Sequence, residues 1–267
     1  MREGLAPYSE EDFYYVVGKT SCDPERLILV GGQALEVWGM LLNVPAPATA
    51  GTQPFQALTV DADWLGHKED ATWLAQLLGV DRTELQIPDP SDPTPNTALL
   101  YLASNGRVML MDFLAYITGL DNQDIKGKAT DLQLTDPLGN ALHLRVLDPI
   151  HCLVSRMANL KTHPDKRHGN GPIQAQWAVD IVRAYLLHLV SIGVDAKALR
   201  GQCQRVAELA EYGSAEYCYT HFHIDPLQTV DSTVVAAGGE QFAAIDWPHK
   251  VARIMHKREK WFKKAPF

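Results

Sequence analysis

The chain has 267 residues, 46% of them hydrophobic and 21% charged, with a formal net charge of -8 and a sequence pI near 5.6. Those numbers support a real core in one large or two modest domains, and the acidic balance argues against bulk nonspecific nucleic-acid binding while leaving room for a local basic patch. Four scattered cysteines (Cys22, Cys152, Cys203, Cys218) without a CxxC pair exclude a small disulfide scaffold and suit reduced thiols. The N-terminus lacks the apolar core of a signal peptide, and no run approaches the ~18 apolar residues of a membrane helix. The expectation is a cytoplasmic protein with no membrane partner.

In chain order, "SEEDFYYVVGK" (9–19) opens with Ser9 and acids before turning apolar, which predicts a short helix. "RLILVGGQALEVWGMLL" (26–42) changes period at Gly31. Leu27 to Val30 suit a buried strand, and Ala34, Leu35, Val37, Trp38, Leu41 and Leu42 suit a helix face. "NVPAPATAGTQP" (43–54) reads as a loop, and "QALTVDADWLG" (56–66) as a strand whose apolar run ends in two acids. "HKEDATWLAQLLG" (67–79) is a helix ending at Gly79, followed by a proline-rich loop at 86–96. Strands are expected over 98–104 and 107–116, joined by an Asn105-Gly106 hairpin turn, with a further hairpin over 130–146 around "DPLGN". From Pro149 the pattern is helical: 149–162, 172–193, 195–213 and 247–264. The expected fold class is α+β, with a mixed-sheet domain over 1–148 and a helical domain over 149–267.

The chemistry concentrates in three acids and a glycine pair. Residues two apart on a strand face the same way, so Asp61 and Asp63 can chelate together. Asp112, in "RVMLMDFLA", has apolar neighbours on both sides. A lone buried carboxylate there is costly unless paired or bound to a cation. The economical arrangement brings all three to adjacent strand ends around Mg²⁺ or Mn²⁺, which favour such oxygen ligands. Two such ions ~4 Å apart clamp the attacking and leaving oxygens of a phosphoryl displacement. Gly31-Gly32 ends a strand and opens a helix, where free N–H groups and the helix dipole favour an anion. Acids beside a phosphate cradle point to a nucleoside triphosphate.

"VGGQALEVW", "TVDADW" and "LMDFL", in that order, resemble the nucleotidyltransferase superfamily of DNA polymerase beta over roughly residues 25–115. Within it the chain is similar to the AbiEii-type and minimal nucleotidyltransferases of toxin–antitoxin and phage-defence systems. The resemblance implies that Asp61, Asp63 and Asp112 bind metal, with Asp112 as general base. It also implies that Gly31 and Gly32, with Gln33 beside them, hold the nucleotide, that Arg156 or Lys161 neutralises the triphosphate, and that Asp180 orients one of them. The implied reaction moves a nucleoside monophosphate from an NTP to an acceptor hydroxyl of RNA, a protein or a small molecule and releases pyrophosphate. An antitoxin partner is also implied. The competing reading is a non-catalytic nucleotide-binding protein, motivated by Ala57 where AbiEii-type members usually carry Arg.

Other signals have ordinary explanations beside the functional ones. A strand followed by DxD also opens haloacid-dehalogenase phosphatases, but Trp64 follows the pair and no later GDxxxD-like element appears. Cys218, His221, His223 and Asp225 offer zinc ligands without a second pair. "HPDKRHGNG" (163–171) reads as a solvated loop in which Lys166 and Arg167 could meet substrate, and Cys152 as core. The tail holds Lys250, Arg253, Lys257, Arg258, Lys260, Lys263 and Lys264 against Glu259. This basic amphipathic helix suits RNA, an acidic partner or solvent, and Trp261 and Phe262 suit either base stacking or packing.

Overall fold

A computed structural model describes residues 5–6, 8–47, 61–89, 91–92 and 94–264, with side chains as far as Trp261. The chain divides into two compact units. One takes in Met1–Val37 and Ala46–Cys152, the other Trp38–Pro45 and Leu153–Phe267.

The first unit is built on a mixed sheet, and the α+β class expected from the sequence is the class observed. The strands are β1 (Ile28–Val30), β2 (Asp61–Leu65), β3 (Thr83–Gln86), β4 (Asn96–Ser104), β5 (Arg107–Leu114), β6 (Thr130–Thr135) and β7 (Ala141–Val146), in the order β3-β4-β5-β2-β1-β7-β6. β2 runs parallel to β5, β1 runs parallel to β7, and the remaining pairs are antiparallel. The central strands carry the core: Leu29, Val30, Met109, Met111 and Phe113 are all fully buried. Asn105 and Gly106 both have positive φ (51° and 75°), the backbone that a tight β4–β5 hairpin requires.

Helix α1 (Glu10–Thr20) starts on the expected Ser9, within a reciprocal capping box. The Asp12 N–H donates to Ser9 Oγ at 3.2 Å, and the Asp12 carboxylate accepts the Ser9 N–H at 3.0 Å. The other acceptor role of Asp12 is tertiary, because Arg107 Nη2 donates to it at 2.5 Å. Helix α2 (Gly31–Leu41) begins directly where β1 stops, and α3 (Lys68–Leu78) ends at Gly79. Within this unit the structure adds one strand and one α-helix that the sequence pattern did not announce. One is the edge strand β3. The other is α4 (Asn122–Lys128), capped by Asp121 and tied to buried His151, whose Nε2 lies 2.9 Å from Asp124 Oδ2. The stretches 48–54 and 56–60, read as loop and strand, lie outside the described residues.

Helices make up the second unit: most of α5 (Pro149–Thr162), then α6 (Asn170–Ser191), α7 (Ala196–Leu209), α8 (Gly213–Phe222), α9 (Ser232–Ala237) and α10 (Trp247–Lys264). A turn of π-helix over Phe242–Asp246 leads straight into α10. Arg258 of the basic tail is not a solvated cation. It is 2% exposed, donates to both Asp225 oxygens at 2.7 and 2.6 Å, and lies over the rings of Tyr219 and Trp261. Trp261 is itself buried, so it packs instead of offering a face to bases. The same contacts dispose of the zinc reading. Asp225 is held by Arg258, and Cys218 is buried with its thiol pushed up to about 12 by burial. Moreover, His221 stacks on Tyr217. Among the described residues these four side chains form no ligand cluster. Cys152 is buried, as expected of a core position. No described helix is long and apolar enough to cross a membrane.

Candidate metal and nucleotide site

The three acids come together. One carboxylate oxygen each from Asp61, Asp63 and Asp112 can be chosen so that all lie within 4.8 Å of one another. Two features of the sheet cause this. Asp61 and Asp63 are alternate residues of β2 and share a face, with buried Ala62 between them on the other. The parallel pairing of β2 with β5 then sets Asp63 directly beside Asp112. The strand-end placement expected from the sequence is not met by Asp112. Asp112 is interior to β5, two residues short of its last, and the described part of β2 opens with the acids instead of ending in them. Strand pairing, not strand termination, gathers the charge.

Gly31 belongs to the same group. Val30 pairs with Asp63 across the antiparallel β1–β2 ladder, so the residue after Val30 meets the Asp63 side chain. A Cβ at position 31 would lie 1.8 Å from Asp63 Oδ2 and 2.6 Å from its Cγ, and the backbone there has φ +69°. Only glycine satisfies both conditions. The first turn of α2 thus starts against a carboxylate, and the positive end of its dipole stabilises negative charge at that point. Gly32 and Gln33 are buried in that first turn. Gln33 is 1% exposed, and its side-chain nitrogen has no hydrogen-bond partner among the described residues. Glu36, one turn further along α2, is also buried.

Tyr8 stands in a stretch that carries no motif, yet it is buried in the same unit. It is 1% exposed, and its hydroxyl has no hydrogen-bond partner among the described residues. Burial holds its phenol well above the usual tyrosine range, and the negative charges of Asp12, Asp61 and Asp112 add to the effect. It is therefore a buried, neutral O–H within the field of two members of the triad. "PYSEED" carries no motif, and only the fold brings the ring there.

The donor set fits a hard divalent cation. It consists of carboxylate oxygens from adjacent strands, two half-buried and one 8% exposed, with no thiol among them. Three like charges this close repel, and a divalent ion neutralises them.

Arg156, Lys161 and Asp180 are in the second unit. Arg156 Nη1 donates to Gln174 Oε1 at 2.8 Å, and Lys161 Nζ lies against Gly213. Asp180 is half-buried on α6, and desolvation raises its pKa against the opposing pull of Arg183. In the loop at 163–171, Arg167 is committed to the carbonyls of Leu160 and Lys161 and lies over the Tyr217 ring.

No protein-family model and no curated protein matches this chain. Among solved structures, the crystal structure of the Megavirus polyadenylate synthase is similar over 73% of this chain and 38% of that one, at 13% identity and a TM-score of 0.37. The chain thus spans well under half the length of that synthase. At that identity and score the similarity speaks to neither activity nor substrate.

Proposed function

We propose that the protein is a metal-dependent nucleotidyltransferase that moves a nucleoside monophosphate from an NTP to an acceptor hydroxyl. The observation that supports this is the meeting of Asp61, Asp63 and Asp112 within 4.8 Å, with Gly31 and the start of α2 against Asp63. The order of these parts along the chain is also that of the superfamily the sequence resembles. Asp61, Asp63 and Asp112 would hold Mg²⁺ or Mn²⁺, which supplies charge neutralisation for the phosphates and the departing pyrophosphate. Asp112 accepts the acceptor's hydroxyl proton. Its burial favours that transfer by keeping water from competing for the carboxylate. The N–H groups of the first turn of α2, including those of Gly32 and Gln33, have no partners within the helix itself and suit phosphate oxygens. Most of the acceleration comes from positioning and charge stabilisation, as is general for phosphoryl transfer.

Roles for Arg156, Lys161 and Asp180 at the triphosphate and a toxin–antitoxin setting with an antitoxin partner belong to the same proposal and are supported by the sequence resemblance; a cytoplasmic location is supported by the scattered, unpaired cysteines. The test is incubation with each radiolabelled NTP, Mg²⁺ and total RNA or lysate. Label transfer that disappears in Asp61→Ala and Asp63→Ala supports the enzyme. Nucleotide binding without transfer across all acceptors replaces it with a non-catalytic nucleotide-binding protein. Absence of both ends the proposal.

A further inference from the structure

The second unit carries an open groove of about 650 Å³ lined by Arg200, Gly201, Gln204, Phe242, Asp246, His249, Lys250 and Arg253. Its size lies within the range of ligand sites. The groove is cationic in an otherwise acidic chain, and the charge continues beyond it. Lys250, Arg253, Lys257 and Lys260 recur every three or four residues on α10, which places them on one helix face over a rise of about 15 Å. Arg253, Lys257 and Lys260 are exposed. Three acids stand against this row, one of them Glu208, which accepts from Gln204 of the groove wall at 2.6 Å. Glu211 serves both Arg253 and Lys257, and Asp246 lines the groove.

Two backbone features mark the same place, and one of them, the π-turn, also lets Phe242 and Trp247 pack against each other. Gly201 stands inside α7, where glycine weakens a helix, and a Cβ there would meet nothing within 4 Å. The groove wall is therefore kept bare where no neighbour demands it. The opposite lip is the π-turn Phe242–Asp246, a rare backbone form that recurs at functional sites.

We infer that this groove and the α10 row bind the phosphate backbone of a single nucleic-acid strand. A linear row of ammonium and guanidinium groups on one helix face follows one line of phosphates. The bare backbone at Gly201 admits a sugar–phosphate at close range. The inference concerns the second unit alone and does not depend on the proposed transfer reaction.

Binding of fluorescein-labelled 12-nucleotide RNA and DNA single strands of mixed sequence is measured by anisotropy, without nucleotide or divalent cation, on the full chain and on Asp61→Asn. Both proteins are expected to bind alike. Log affinity is expected to fall against log salt with a slope of about −3, the sum of about −0.7 for each of four phosphate contacts. Lys257→Gln with Lys260→Gln should reduce the slope by about 1.4 and weaken binding about tenfold. Gly201→Leu should weaken binding about tenfold without lowering the melting temperature. If it does lower that temperature, the Lys257/Lys260 pair, which alters only exposed side chains, decides the matter. RNA binding tighter than DNA binding, or the reverse, assigns the strand type. No binding at low salt, a salt-independent affinity, tighter binding of a duplex, or displacement by a polyglutamate peptide at equal charge concentration would each overturn the inference.

Discussion

Asp225 and Asp112 are both carboxylates at the edge of burial, and the protein treats them in opposite ways. In the helical unit Asp225 meets the buried guanidinium of Arg258 in a two-pronged pair, roofed by Tyr219 and Trp261, so the charge is neutralised where it sits. In the sheet unit Asp112 is set beside Asp63 and near Asp61, so like charges accumulate. The first arrangement holds structure together. The second brings three acids within reach of one point, a donor set that suits a divalent cation.

The largest expected effect separates these roles by activity. Asp112→Asn should reduce nucleotidyl transfer by on the order of 10³-fold, while the metal-free protein melts no lower than the wild type because one repelling charge has gone. A metal-free melting temperature well below wild type would instead make Asp112 a structural residue, to be set beside Asp225.

Next comes Arg258→Ala. It leaves the half-buried Asp225 without its counter-ion and should cost about 3 kcal/mol of stability, the low end for breaking a buried pair, read by chemical denaturation, with no change in divalent-cation affinity of the sheet unit. Gly31→Ala follows. The left-handed backbone alone costs about 1–2 kcal/mol, and the added methyl must push the Asp63 carboxylate aside, so Mn²⁺-induced stabilisation should shrink with it. Undiminished stabilisation by Mn²⁺ in this variant would separate the glycine turn from the acid cluster.

The smallest effect concerns Asp180. Burial raises its pKa, so the folded state holds that proton more tightly than the unfolded chain does. Its destabilising contribution is absent at low pH and appears as pH rises from the ordinary aspartate range through the raised folded value. The melting-temperature advantage of Asp180→Asn over wild type should therefore grow across that window and level off above it. An advantage that is constant with pH would exclude this linkage.

How much of this was legible in the sequence depended on whether the signal was local. The Ser9 cap, the Gly79 stop and the Asn105-Gly106 turn are written in neighbouring residues, and each formed; of the strand read over 56–66, Asp61–Leu65 is observed and 56–60 lie outside the described residues. Strand β3, "TELQ", alternates half-buried and exposed residues and exists because β4 pairs with it, so its own residues announce nothing. Helix α4 is short and polar, held by the Asp121 cap and the Asp124–His151 contact. The site divides the same way. Carboxylates two apart on one face could be read directly. The parallel register that adds Asp112, the collision that reserves position 31 for glycine, and the arrival of Tyr8 are products of tertiary pairing. Arg258 was misread for a related reason: a cation in a basic run looks solvated until its distant partner is known.

Strand β2 is clasped on both sides, by β1 running against it and β5 running with it. Slipping it by one position along either neighbour would turn Asp61 and Asp63 to the opposite side and swing Ala62 and Trp64 outward. An incompletely zipped sheet therefore offers no three-acid nest. If the three acids take up an ion as proposed, that uptake would gauge the closing of the β2–β5 ladder.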